Sequence, residues 1–202
     1  MKMVGELAIE HHGRAQGAPG ASWGWRIRNA RRGAYWMGWL MVIAARALSR
    51  MTGIPTLASD LRLLHIRRDG TRIDYGVVGY RVVTTAFVSF VVDQLQTETS
   101  VFGDFKFHDS GVGTTAENVT DTAIETTDGE SRATGTQTES AATAYRSVGT
   151  IAYTTTKAIT EHGLFNDATA GTLMDRTVFT AVNVVNGDSI SFTYTLTVSA
   201  GG

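Results

Sequence analysis

The chain has 202 residues, enough for one full-sized domain with an appendage or for two small domains. It contains no cysteine, which excludes a disulfide framework, a thiolate nucleophile and a Cys-ligated zinc site. The formal charge of −1 conceals a division: residues 1–72 carry +8 and residues 73–202 carry −9. A basic segment joined to an acidic body is suited to an acidic partner surface, to nucleic acid, or to the body of a neighbouring copy.

Residues 1–60 read as a basic, Trp-rich arm. Lys2 is followed by Glu6, Glu10, His11, His12 and Arg14, with no apolar run behind it, so no secretory signal is expected. Gly13, Gly17, Pro19, Gly20 and Gly24 argue against both helix and central strand. All 4 tryptophans, Trp23, Trp25, Trp36 and Trp39, follow within a short stretch, interleaved with Arg26, Arg28, Arg31 and Arg32. Aromatic anchors among arginines have the composition of a binding hot spot, and these eight residues are the candidate interface. The competing reading is that the rings plug the chain's own β-domain.

From 34 to 51 the apolar residues Tyr35, Trp36, Trp39, Leu40, Ile43, Ala47 and Leu48 recur at helical spacing, and Gly53 and Pro55 end the pattern. Pairing in a sheet is the alternative. The apolar run is too short to cross a bilayer, and no membrane span is expected.

Residues 61–202 read as a β-rich body. A ribbon is expected over 61–83, turning at Asp69-Gly70; 85–96 reads as a helix capped by Thr84 or Thr85, with a strand as the alternative that its β-branched residues leave open. Further strands are expected at Phe105–His108 and at about 131–139, 144–155, 158–165, 172–181 and 189–199, with a turn at Asn186-Gly187-Asp188. The last strand alternates Ile190, Phe192, Tyr194, Leu196 and Val198 against serine and threonine, the mark of a half-buried antiparallel strand. The expected fold is mainly β: an antiparallel sandwich or jelly-roll-like body with an extended, partly helical arm.

A search for chemistry finds little. The five histidines have no HExxH spacing, and no GxSxG elbow or phosphate loop is present. His108, Asp109, Glu161 and His162 form the best acid/base or metal candidate, but Glu161-His162 lies between apolar residues, where structural hydrogen bonding is the ordinary role. The acidic body disfavours nucleic acid as a partner. No catalytic residue, metal or cofactor is assigned, and the chain is not expected to be an enzyme.

The stretches DYGVVGYRVVTTAFVSFVVD, DFKFHDSGVGTTAENVTD, SRATGTQTE, RSVGTIAYTTTKAITEHGLFN, GTLMDRTVF and NVVNGDSISFTYTLTVSAGG, spread in order over residues 61–202, resemble a β-module of tailed-bacteriophage virion structural proteins. The resemblance implies a virion component, assembled in the host cytoplasm: a capsid decoration or cement protein, or a neck, tail or fibre-attachment protein. The major capsid protein or another virion protein is then the partner; glycine- and threonine-rich sheets with apolar edges that need covering point to a homo-oligomer, and capsid symmetry axes to a trimer. A receptor- or carbohydrate-binding sandwich is the reading from another class. His108, Asp109, Gly111, Glu161, His162, Phe165, Arg176 and Phe179 are then structural. Gly111 and Gly113 are expected to permit a tight loop, Glu161 to pair with Arg176 across adjacent strands, and Phe165 and Phe179 to face the core.

Overall fold

The computed structural model describes residues 40, 43–44, 47–48, 51–53, 56–81, 83–95 and 104–199. All of the described residues belong to one compact unit of the chain, 35–202. Trp23, Trp25, Arg26, Arg28, Arg31, Arg32, Trp36 and Trp39 lie outside the described residues. Of the expected helix over 34–51, residues 40, 43, 44, 47, 48 and 51 are helical, as is residue 52.

The body is mainly β, with two antiparallel sheets packed face to face. The strands are β1 (Thr56–Ile66), β2 (Arg72–Arg81), β3 (Phe107–Gly111), β4 (Ala133–Thr134), β5 (Thr136–Ala141), β6 (Ala144–Ala152), β7 (Lys157–Phe165), β8 (Leu173–Val184) and β9 (Ser189–Ser199). The helix α1 (Thr85–Gln94) follows β2. One sheet runs β2-β1-β9-β6-β5 and the other β4-β3-β7-β8. Both sheets stay open at their edges, so the body is a sandwich and not a closed barrel.

β1 begins at Thr56 and pairs with β9 along its whole length, from Thr56↔Ser199 to Ile66↔Ser189. β1 therefore begins five residues before the ribbon expected over 61–83. With the boundary placed there, the charge division persists as +6 over residues 1–55 and −7 over 56–202.

The alternation of β9 builds the core. Ile190, Phe192, Tyr194 and Leu196 are all buried, beside Leu61 and Leu63 of β1 and Ile151 of β6, against Leu164, Phe179 and Val182 of the opposite sheet. Each such aliphatic or aromatic side chain contributes about 1.5–3 kcal/mol through burial. The hairpin turns form where expected, with Gly70 at φ +83° and Gly187 at φ +90°, a region in which a Cβ is strained.

The expected single strand over 131–139 is two strands in different sheets. Gly135 separates β4 from β5, and its N–H donates to the Lys106 carbonyl at 2.7 Å. A Cβ at Gly135 would stand 2.6 Å from Ser147 Oγ and 2.7 Å from His108 Nε2. The chain can cross between the sheets here only because no side chain fills that space.

Thr84 caps α1: its hydroxyl accepts from the Phe87 N–H at 3.2 Å and donates to the Leu173 carbonyl at 2.5 Å. Both bonds are buried. Thr84→Ala should lower stability by about 1–2 kcal/mol, read from the urea unfolding midpoint.

Candidate functional site

Strand β7 is buried on both faces, and the two faces carry different chemistry. Its register with β3 sets Glu161, Gly163 and Phe165 on one side with Gly111, Asp109 and Phe107, and sets His162 and Leu164 on the other with Ser110 and His108. Glu161 and His162 thus point away from each other. The cluster His108, Asp109, Glu161, His162 considered from sequence does not converge, and among the described residues no three His, Asp or Glu side chains are placed to hold a metal ion.

On the outer side, Glu161 and Arg176 pair as expected. Arg176 Nε donates to Glu161 Oε2 at 2.8 Å, and the Glu161 side chain is fully buried. Glu161 Oε1 also accepts from the N–H groups of Gly113 and Thr126, at 2.9 and 2.8 Å, and Oε2 accepts from the Glu125 N–H at 2.9 Å. The guanidinium reaches Asp121 at 3.0 Å, the Thr115 carbonyl at 3.2 Å and Glu125 at 3.4 Å. The pair therefore binds the segment 112–132 as a third layer over the outer face of the second sheet.

Gly111 and Gly113 serve this clasp by close approach and not by turn geometry. Neither has positive φ. A Cβ on Gly111 would stand 2.5 Å from Glu161 Oε1, and one on Gly113 2.6 Å from the Glu125 Cβ. Beneath the same layer, Phe165 is buried outside the main core, with the Arg132 guanidinium 3.5 Å from its ring centroid. Phe179 does lie in the main core, as expected, but Phe165 packs on the opposite face of its sheet.

Arg132, which the sequence pattern places merely within a strand, ends the covering layer. It donates to Asp109 Oδ2 at 2.9 Å and to the carbonyls of Asp167 and Ala170 at 2.8 and 2.6 Å. Burial raises the Asp109 carboxyl above its usual range, with the Arg132 bond acting against that shift. A groove of about 600 Å³ beside this pair is lined by Asp109, Glu125, Thr127, Glu130, Arg132 and Thr169, among others.

On the inner side, His108 and His162 meet between the sheets, Nδ1 to Nε2 at 3.0 Å, and His108 Nε2 lies 2.8 Å from Ser147 Oγ on β6. The His162 ring packs at 4.6 Å on Phe192, and its Nδ1 has no hydrogen-bond partner among the described residues. A buried orphan acceptor is more tolerable than an orphan donor. The favoured proton arrangement therefore has His162 donating to His108 and His108 donating to Ser147, with both rings neutral. Burial takes the His108 pKa down to about 3 and that of His162 well below its ordinary value, the neighbouring His108 adding to the effect. These groups are closed in by packing and act as internal ties.

The surface features lie elsewhere. An apolar groove of about 360 Å³ opens beside α1, lined by Leu57, Phe87, Val91, Phe105, Tyr145, Met174, Leu196 and Val198. No helix among the described residues is long and apolar enough to cross a membrane.

No protein-family model, curated protein or solved structure matches this chain.

Proposed function

We propose that the chain is a structural virion protein of a tailed phage, a capsid decoration or cement protein that binds the major capsid protein and acts as a homo-oligomer, a trimer being suited to a threefold capsid axis. The observation that carries this reading is the charge division at the start of β1: +6 on residues 1–55, which hold all 4 tryptophans, against −7 on the body. Aromatic burial would supply the affinity of such an arm, its charge would favour an acidic surface, and the acidic body would disfavour nucleic acid as that surface. The triple-layered body fits a load-bearing part, because its most deeply buried polar groups fasten segments to one another.

Quantitative mass spectrometry of virions encoding this chain should find it at a copy number comparable with that of the capsid subunit. Absence from the particle would sink the proposal, and a copy number far below the capsid subunit's would place the chain at the neck, tail or fibre instead. Deleting residues 1–55 should leave a folded body that no longer co-sediments with particles. Unchanged attachment would show that the arm is not the anchor.

The groove beside Arg132 favours one second reading, a carbohydrate- or receptor-binding sandwich. Its lining of carboxylates, hydroxyls and a guanidinium suits a polar ligand. Glycan-array binding abolished by Glu130→Ala would support this reading over attachment to a capsid.

A further inference from the structure

Two apolar helical surfaces of the unit 35–202 face solvent. The first belongs to α1, which is apolar nearly all the way round. Phe87 is buried, and Phe87 and Phe90 each pack edge-on against Phe105, at 5.0 and 4.9 Å. Val88, Val92 and Leu95, spaced by four and three residues, are 46%, 51% and 79% exposed. A helix apolar on every side is ordinarily enclosed on every side. The adjoining groove is lined by Phe87 and Val91 of this helix and by Leu57 and Val198, half-exposed cross-strand partners.

The second surface lies on the helical residues before β1. Leu40, Ile43, Ala44, Ala47, Leu48 and Met51 follow the spacing of one helix face, and all six are exposed, Leu48 at 60% and Met51 at 85%. Only Gly53, Ile54 and Pro55 separate this helix from β1, yet its apolar stripe is not covered by its own sandwich. One chain thus presents both an apolar helical ridge and an apolar groove, each uncovered.

We propose that a second copy of this chain covers the α1 end of the sandwich, the helical residues Leu40, Ile43, Ala44, Ala47, Leu48 and Met51 of one protomer lying in the groove of the next, formed by α1, Leu57 and Val198. Charge selects this pairing. The stripe belongs to the segment bearing +6 and the groove to the body bearing −7, so arm on body attracts, while arm on arm and body on body repel. Made reciprocally about a twofold axis such a contact gives an isologous dimer, and made head to tail about a closing rotation it gives a ring. The inference deepens the self-association proposed above by naming its surface.

The chain has no cysteine, so introduced thiols are the only ones present. A mixture of a Leu48→Cys chain and a Val92→Cys chain, treated with a short bismaleimide, should give a band of twice the chain mass that neither variant gives alone. Light scattering on the full chain should show more than one copy. Ile43→Glu, at an exposed position, should weaken association by about tenfold or more while leaving the circular dichroism of the body unchanged. A single-chain mass at every concentration would overturn the proposal. So would association insensitive to Ile43→Glu, or a chain carrying both cysteines that cross-links only within itself. A monomeric chain that still attaches to particles would defeat this inference and leave the virion reading standing. A chain that associates as described but is absent from virions would do the reverse.

Discussion

Arg176→Ala should destabilise the body by about 3–5 kcal/mol, the range expected when one partner of a buried ion pair is removed and the other charge stays buried. The residue left behind is Glu161, fully buried and still facing the N–H groups of Gly113, Glu125 and Thr126. Asp121 and the Thr115 carbonyl lose their guanidinium partner in the same step. Arg176→Lys should recover only part of the loss, because a single ammonium cannot reproduce a fork that reaches Glu161, Asp121 and Thr115 together. Removing both partners, as Glu161→Leu with Arg176→Leu, should cost less than the sum of the single changes, since the three N–H groups then remain as the main unsatisfied set. Urea unfolding measures each variant. Limited proteolysis adds a local readout: cleavage within 112–132 should rise in Arg176→Ala before the sandwich unfolds. Equal protection of that segment in wild type and variant would show that the pair does not hold the covering layer.

How far this clasp was legible in the sequence depends on the kind of information each part needs. The pairing of Glu161 with Arg176 follows from two adjacent strands joined by a short connection, and strand alternation carries that directly. The last strand, Ser189–Ser199, and the turns at Gly70 and Gly187 were equally local matters of period and φ. Gly111 and Gly113 looked like turn residues because the sequence does not reveal what passes beside them; the reason for glycine there is a carboxylate fifty residues away in the chain. The same limit hid the sheet switch at Gly135, whose cause is the ring of His108. It also hid Arg132, whose partners lie on β3 and on the loop after β7. The His108–His162 contact joins residues 54 apart, at positions that no motif spacing links. Local periodicity determines strands and turns, whereas the polar ties between layers depend on register between strands remote in sequence.

Those ties set the second large effect, on acid stability. Both rings are buried neutral, His108 with a pKa of about 3 and His162 well below its ordinary value. In the unfolded chain each should titrate near 6.5. Above that pH neither state takes up a proton and the pair is without effect on the pH dependence. As pH falls below about 6.5, the unfolded state binds two protons that the folded state refuses, so stability declines toward pH 3 by about 1.4 kcal/mol per pH unit for each histidine. Nothing bonded to the rings offsets this: His108 meets Ser147 and His162, and His162 meets His108 and the apolar face of Phe192. The carboxylates held low by hydrogen bonds, such as Glu125 and Glu130, lose their contribution only in the carboxylate range, near pH 4 and below. Asp60 and Asp109, which burial pushes up, act in the opposite sense, gaining their protons more readily when folded. The interval from pH 6.5 to about 5 therefore lies above the loss from the hydrogen-bonded carboxylates, and within it Asp60 and Asp109 act only against the slope set by the two histidines. Urea midpoints measured across it should fall steeply, and His162→Phe, which keeps an aromatic ring against Phe192 and removes one titrating group, should roughly halve the slope whatever its effect on stability at pH 7.5. A slope unchanged by His162→Phe would show that the pair does not govern acid unfolding.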